Sequence, residues 1–280
     1  MKHLRLLVQA CFAALTNGYL RGFLEGKIYS GPLKQLCVPG LNCYSCPGAL
    51  GACPIGALQA VLGSRGRKIS LYVVGFLVSV GALCGRFVCG WLCPFGLFQE
   101  LLHKIPCPKK RKKLPFDRPL RAVKYIFLVV FVLLLPVVAV NAVGIGDPWF
   151  CKYICPAGML FGGIPLSLLD AGIRAAAGAL FTWKFALLIG VIVLSIVVYR
   201  PFCRYFCPLG AIYGLFNPVA FLRYEVDEAA CVDCGACARA CPMDIDLHRT
   251  PDSRLCVRCG RCKTACPTGA IRNSLRNKRG

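Results

Sequence analysis

The chain has 280 residues, of which 57% are hydrophobic and only 16% charged, too apolar a balance for an ordinary soluble domain. Lysine and arginine number 34 against 12 aspartates and glutamates, a formal charge of +22, but these basic residues flank apolar runs instead of forming one surface, so nucleic-acid binding is not expected. The 21 cysteines stand at short, regular spacings and many precede proline, which reads as metal ligation and not as a secreted disulfide scaffold.

A helix crossing a bilayer core of about 30 Å needs roughly 20 mostly apolar residues. In chain order, residues 4–24, 69–88, 124–146 and 182–199 are expected to do this. The first contains Arg5, Gln9, Asn17 and Arg21 and has no small-residue cleavage site, so it reads as a retained helix and not a removed signal. Residues 125–146 carry no charge, and Lys184, near the start of the fourth segment, is placed to snorkel to the interface. The loop at 104–124 holds Lys104, Lys109, Lys110, Arg111, Lys112, Lys113, Arg118, Arg121 and Lys124 against the single acid Asp117. Such a loop belongs on the cytoplasmic side and contacts anionic lipid. Both termini are then inside, and residues 25–68 and 147–181 outside, although Lys27, Lys34, Arg65, Arg67 and Lys68 run against that assignment.

The frame Cys-Pro-x-Gly-x-apolar recurs at Cys53, Cys93, Cys155 and Cys207. In three copies another cysteine stands four residues earlier, at Cys89, Cys151 and Cys203, whereas the first copy has Cys43 and Cys46 upstream. Proline at the first helical position fits a turn that ends on the cysteine and opens a new helix, aiming free N–H groups and a positive dipole end at an anionic cluster. By the expected topology, Cys89, Cys93, Cys203 and Cys207 meet at the cytoplasmic face as four ligands of one cluster. Cys43, Cys46, Cys53, Cys151 and Cys155 converge at the outer face, one more than a cluster needs, and Cys37 is a sixth candidate, so the choice among them stays open. Each cluster would bridge two halves of two spans each. Outer disulfides are the alternative, but a three-residue separation inside one short turn suits them poorly. Cys11, Cys84 and Cys107 stand outside the frame and read as buried or incidental thiols.

From about residue 222 the composition turns polar, and one pattern appears twice: Cys231-x2-Cys234-x2-Cys237-x3-Cys241-Pro242 and Cys256-x2-Cys259-x2-Cys262-x3-Cys266-Pro267. Three closely spaced thiolates wrap one face of a cubane, while the fourth is carried off by the following helix to the other cluster. Cys231, Cys234, Cys237 and Cys266 are therefore expected to hold one [4Fe–4S] cluster, and Cys256, Cys259, Cys262 and Cys241 the second. Gly235 and Gly260 permit the tight turns this needs. The expected architecture is mainly α: a four-span membrane domain with re-entrant Cys-Pro turns over 1–221, an α+β bacterial-type two-cluster ferredoxin domain over 222–272, and a basic tail over 273–280.

Cys89-Gly-Trp-Leu-Cys93-Pro, Cys203-Arg-Tyr-Phe-Cys207-Pro and the twin ferredoxin runs together resemble the NapH/NosR-type membrane polyferredoxins, over about residues 70–272. The resemblance implies a multi-pass inner-membrane electron-transfer subunit, passing electrons between a cytoplasmic donor or the quinone pool and an oxidoreductase outside. The set Cys43, Cys46, Cys53, Cys151 and Cys155 departs from the nitrate-reductase member and argues against a purely quinol-oxidising role. The histidines, His3, His103 and His248, are poorly placed for haem between helices, and no phosphate loop, dinucleotide fingerprint or flavin domain is recognisable, so haem, ATP and NAD are not expected. Asp147 and the Glu100–His103 pair are candidate carriers of a quinone's protons. Three functions remain to weigh: an electron conduit between a cytoplasmic donor and an extracytoplasmic acceptor such as a flavoprotein, a quinol dehydrogenase, and an iron- or oxygen-responsive sensor.

Overall fold

A computed structural model describes residues 2–64 and 70–275; Arg65, Arg67, Lys68 and residues 276–280 of the basic tail lie outside the described residues. In chain order the principal helices are α1 (Lys2–Thr16), α2 (Leu20–Glu25), α3 (Pro54–Leu62), α4 (Leu71–Cys84), α5 (Phe87–Trp91), α6 (Pro94–Lys104), α7 (Asp117–Val138), α8 (Pro156–Leu169), α9 (Ala179–Val197), α10 (Pro201–Tyr205) and α11 (Pro208–Phe216). The ferredoxin-type segment follows with β1 (Leu222–Val226), α12 (Ala236–Ala240), α13 (Arg261–Ala265) and β2 (Ile271–Leu275). β1 and β2 pair antiparallel, Leu222 opposite Leu275 and Val226 opposite Ile271.

Among the described residues, α7 and α9 are the two helices long and apolar enough to cross a membrane. Only 22% and 11% of their apolar windows are buried, the reverse of a soluble core helix. The four-span expectation is therefore met by two full-length helices, with α1, α4 and α8 shorter than a bilayer core requires. Residues 4–24 divide because Thr16 Oγ1 and Asn17 Nδ2 turn back to the carbonyls of Phe12 and Ala13, at 2.8 and 2.9 Å. The Leu50 N–H then takes the Thr16 carbonyl at 2.9 Å, so the helix cannot continue. α4 is 14 residues long and stops at Gly85, whose φ is 52°. α7 carries a π-helical stretch, Phe127–Leu134, ahead of Pro136, which has no N–H to give its preceding turn. It ends at Val138 instead of 146, because the following residues fold back, with Asn141 donating to Ile145 and Gly146 to Gly63.

Cys53, Cys93, Cys155 and Cys207 each cap the start of a helix in extended conformation, with Pro54, Pro94, Pro156 and Pro208 opening α3, α6, α8 and α11. All four recurrences of the frame thus build the same turn. Gly235 and Gly260 play the equivalent part before α12 and α13, at φ 66° and 79°.

The ferredoxin-type segment is bolted to this framework. Arg258 donates to the carbonyls of Cys84 at 2.7 Å and Asn217 at 3.0 Å, Trp91 Nε1 donates to Arg258 O at 3.0 Å, and Asn217 Nδ2 reaches Ser253 O and Cys256 O, both at 2.9 Å. The basic loop joins in: Lys112 Nζ donates to Arg239 O at 2.9 Å and Lys113 pairs with Asp244 at 3.4 Å, so this loop contacts the chain's own C-terminal segment. The tightest approach is at Gly90, where an added Cβ would lie 2.2 Å from the Val257 carbonyl oxygen. Gly90→Ala is expected to lift the segment from its seat at a cost of about 1–3 kcal/mol. The check is faster proteolytic cleavage near residues 217–221, with the rest of the chain still resistant.

Candidate metal centres

The twin cysteine runs fold into two separate cages. Cys231, Cys234, Cys237 and Cys266 line one cavity of about 50 Å³. Cys241, Cys256, Cys259 and Cys262 line another of about 20 Å³, together with Met243, Ile245 and Tyr224. The crossing of the fourth cysteines has a local cause: Cys241 and Cys266 end α12 and α13, and the prolines after them send each thiol toward the other run.

In the membrane domain, Cys89, Cys93, Cys203 and Cys207 are all buried and within one another's electrostatic reach. Backbone N–H groups point at their sulfurs, Leu41 to Cys93 Sγ and Gly210 to Cys207 Sγ, both at 3.4 Å. The two turns are clasped reciprocally: Arg86 donates to the Cys203 carbonyl at 2.7 Å, and Arg200 to the Cys89 carbonyl. The glycines of the Cys-Pro-x-Gly frame make room for this. A Cβ on Gly96 would lie 3.0 Å from Cys89 O and 3.1 Å from Arg200, and one on Gly210 would lie 3.1 Å from Cys203 O and 3.3 Å from Arg86.

The six candidates for the second membrane site are not equally placed. A Cβ on Gly56 would lie 3.8 Å from Cys151 Sγ and 3.9 Å from Cys53 Cβ, and one on Gly158 would lie 3.9 Å from Cys43 Sγ, so these thiols share one neighbourhood with Cys155, while Cys46 lies beside Cys43 and Lys34. Cys37 instead donates its N–H to Tyr72 and pairs through its backbone with Ala52. Lys184 does not snorkel outward: its Nζ donates to the Cys151 carbonyl at 3.1 Å. Cys11, Cys84 and Cys107 lie outside every quartet; the Cys84 carbonyl serves the Arg258 contact.

The two membrane quartets do not sit at opposite rims of a 30 Å layer, as the four-span topology would have it. Leu41 touches Cys93, and Cys43 is two residues further along, so bond lengths alone hold the sulfurs of the two sites within roughly 15 Å. Tyr213, whose hydroxyl donates to Pro39 O at 3.1 Å, feels Cys89, Cys93 and Cys53 and so lies between the sites. The loop after α2 folds inward because Gly40 packs on the Cys93–Pro94 turn.

No three Cys, His, Asp or Glu side chains among the described residues close to the spacing of a single bound ion. The charges around the quartets favour a larger anionic group. Burial pushes the thiols of Cys93 and Cys155 up to about 12 and that of Cys53 to about 11, so without a cationic partner these cages hold neutral thiols. Around them lie buried cations. Arg86 is 0% exposed, has no carboxylate among the described residues and leaves its Nε unpartnered; Lys34 is 6% exposed and bonds only a carbonyl, Ala49 O. Four thiolates around iron and sulfide carry the negative charge that such cations require.

Glu100 is a buried acid, 2% exposed, among the arginines that hold the Cys89–Cys93 turn. Arg5, Arg200 and Arg261 all pair with it, the latter two at 2.7 and 3.0 Å, and the Tyr199 hydroxyl donates at 2.9 Å. Burial raises its carboxyl, but Arg200 and Arg5 outweigh that and hold it well below the usual carboxylate range. So held, Glu100 is a poor carrier of a quinone's protons, and Asp147 is likewise paired, with Lys152. His103 bonds the Ser195 carbonyl, and burial lowers its pKa. Sequence reasoning missed the part of Arg5, Gln9, Arg86 and Arg200 here. Gln9 Nε2 donates to Cys93 O at 2.8 Å, and the available signal was an arginine three residues before Cys89 and again before Cys203.

A 4Fe-4S binding domain family matches residues 51–72, 69–115, 126–165 and 180–223, and a second family of that description matches 224–245 and 250–272. An uncharacterized protein of Methanocaldococcus jannaschii is 33% identical over 207 residues, 72% of this chain and 77% of its own length. The putative electron transport protein YccM of Escherichia coli is 28% identical over 64% of this chain, and the regulatory protein NosR of Pseudomonas aeruginosa 29% identical over 61%. The chain spans 47% of the length of YccM and 22% of NosR. No solved structure matches it.

Glu100→Gln leaves Arg5 and Arg200 buried without a counter-charge, at an expected cost of about 3–5 kcal/mol, read by thermal unfolding in detergent. A carboxyl depressed by folding adds stability above its unfolded value of about 4.3 and loses it as pH falls toward the folded one. The wild type should therefore weaken below about pH 4, and the variant, already weaker, should lack that part of the decline.

Proposed function

Because the chain belongs to the NapH/NosR-type polyferredoxins, an iron–sulfur electron-transport family, we propose that it relays single electrons between a cytoplasmic donor and an extracytoplasmic acceptor while held in a lipid bilayer. The proposed ligands are Cys231, Cys234, Cys237 and Cys266; Cys241, Cys256, Cys259 and Cys262; Cys89, Cys93, Cys203 and Cys207; and Cys43, Cys53, Cys151 and Cys155. When bound in these quartets, [4Fe–4S] clusters supply reversible one-electron acceptance with no bond made to a substrate.

The observation that carries the reading is continuity. Val257, next to Cys256, packs on Gly90, next to Cys89, and Leu41, two residues from Cys43, bonds Cys93. Three of the quartets thus approach one another within one or two residues along the chain, the residues between them held by Arg258, Asn217, Arg86 and Arg200, and the fourth, with Cys231, Cys234, Cys237 and Cys266, joins through Cys237 and Cys266, four residues from Cys241 and Cys262. At the far end, half-buried Cys151 forms part of the wall of an open cavity of about 880 Å³ that also takes in Lys34, Tyr44 and Pro148. That cavity gives a redox partner, such as a flavoprotein, a direct approach to the last site.

Anaerobically purified protein is expected to hold about sixteen irons per chain, four in each cage. Cys155→Ser should remove one cluster, read by spin resonance, and leave the other three intact. About twelve irons in the wild type, with an oxidised disulfide among Cys43, Cys53, Cys151 and Cys155, would overturn the relay and leave an inward-facing redox module.

A further inference from the structure

We infer that Gln59 and Gln99 set the reduction potentials of the two membrane sites, each by donating an amide N–H to one ligand sulfur; this assignment rests on the iron–sulfur reading above. Each glutamine stands six residues after the cysteine of its Cys-Pro turn, Cys53 and Cys93, and each is 0% exposed. Gln99 Nε2 lies 3.1 Å from Cys203 Sγ, and Gln59 Nε2 lies 3.3 Å from Cys151 Sγ.

The other bonds of each amide are the same in both copies. Gln99 Oε1 accepts the Phe202 N–H at 3.1 Å while Nε2 also donates to Phe95 O at 3.3 Å. Gln59 Oε1 accepts the Phe150 N–H at 2.9 Å while Nε2 also donates to Ile55 O at 3.2 Å. A backbone N–H needs an acceptor and a carbonyl needs a donor, so both amides can face only one way, with nitrogen toward sulfur. Phe202 and Phe150 directly precede Cys203 and Cys151, so each glutamine grips the backbone and the sulfur of the same turn, contributed by the other half of the domain. At the corresponding position the later copies have Phe161 and Tyr213, so each site receives one glutamine.

An N–H at a ligand sulfur stabilises the electron-richer state more than the oxidised one, because it draws on the negative charge that reduction adds. Deleting the donor therefore makes the site harder to reduce. One electron enters in either case and no bond is broken, so the effect appears as a potential and not as chemistry.

The test is a spectroscopically monitored redox titration of the full-length, anaerobically purified chain, with iron counted in every sample. Gln99→Met, close to isosteric but without an N–H donor, is expected to lower the midpoint of one membrane-domain cluster at full iron content. Gln59→Met is expected to lower the midpoint of the other. Gln99→Glu, read at alkaline pH, keeps an acceptor for Phe202 and puts a negative charge beside the sulfur, so it should lower the same midpoint further than methionine does. Three results would overturn the assignment: unchanged midpoints in both methionine variants; a wild-type midpoint in Gln99→Glu, which would make the grip on Phe202 the whole role; or loss of one cluster's iron from both Gln99 variants, which would make the residue structural. A wild type without membrane-domain clusters would instead remove the iron–sulfur reading on which the assignment stands.

Discussion

The reciprocal clasp of Arg86 on the Cys203 carbonyl and Arg200 on the Cys89 carbonyl is the interaction on which the membrane domain turns. It joins the two halves of the chain at the turns that carry the thiols, and it places two guanidinium groups, both fully buried, around one quartet. Burial of that much positive charge is tolerable only with negative charge close by. Glu100 answers for Arg200 and Arg5, but Arg86 is left with carbonyl partners alone. On the proposed reading, the thiolates of a loaded site supply the remaining balance, which couples iron binding to the packing of the two halves. Arg261 extends the same network across the junction, linking α13 of the ferredoxin-type segment to Glu100.

What could be read from the residues alone followed how local the determinant was. The crossed grouping of the cysteines in the ferredoxin-type segment was legible because the two-residue spacings, the glycines at 235 and 260 and the prolines at 242 and 267 all act within a few residues of the thiols. The Cys-Pro turns were legible for the same reason, since proline at a first helical position needs no distant partner. The four spans were less so. Hydropathy does not register that Thr16 and Asn17 fold back on their own helix, or that residues 139–146 turn to meet Gly63.

The placement of Cys43, Cys46 and Cys53 was beyond composition and spacing, because it depends on how one loop packs. Gly40 against Cys93 and Pro94 fixes that loop, and the register it imposes turns Cys43 toward Cys53 and Cys155 while leaving Cys46 beside Lys34. Polar residues in apolar helices carried the unread signal. Arg5 and Gln9 are one turn apart on α1 and look like defects in a span, yet each supplies a hydrogen bond to the Cys89–Cys93 turn, at Gly90 and Cys93. Their value lies in partners some 85 residues away.

Short helices also account for the spacing of the sites. Were α1 and α4 each a full bilayer span, the Cys43 loop and the Cys93 turn would lie a membrane apart, and the contact from Leu41 to Cys93 could not form. Stopping both helices early draws the loop inward, next to the turn it would otherwise face across the lipid. The exposure of the thiols then follows the order of the quartets. Cys234 is exposed and its cage partners half-buried, Cys89, Cys93, Cys203 and Cys207 are buried without exception, and at the other end Cys43 and Cys151 are again half-buried. On the proposed reading this pattern suits an electron path: partners reach the two terminal sites, Cys241, Cys256 and Cys259 of the next quartet are half-buried, and the quartet at the Cys89 and Cys203 turns lies deepest, beneath the arginines that clasp them.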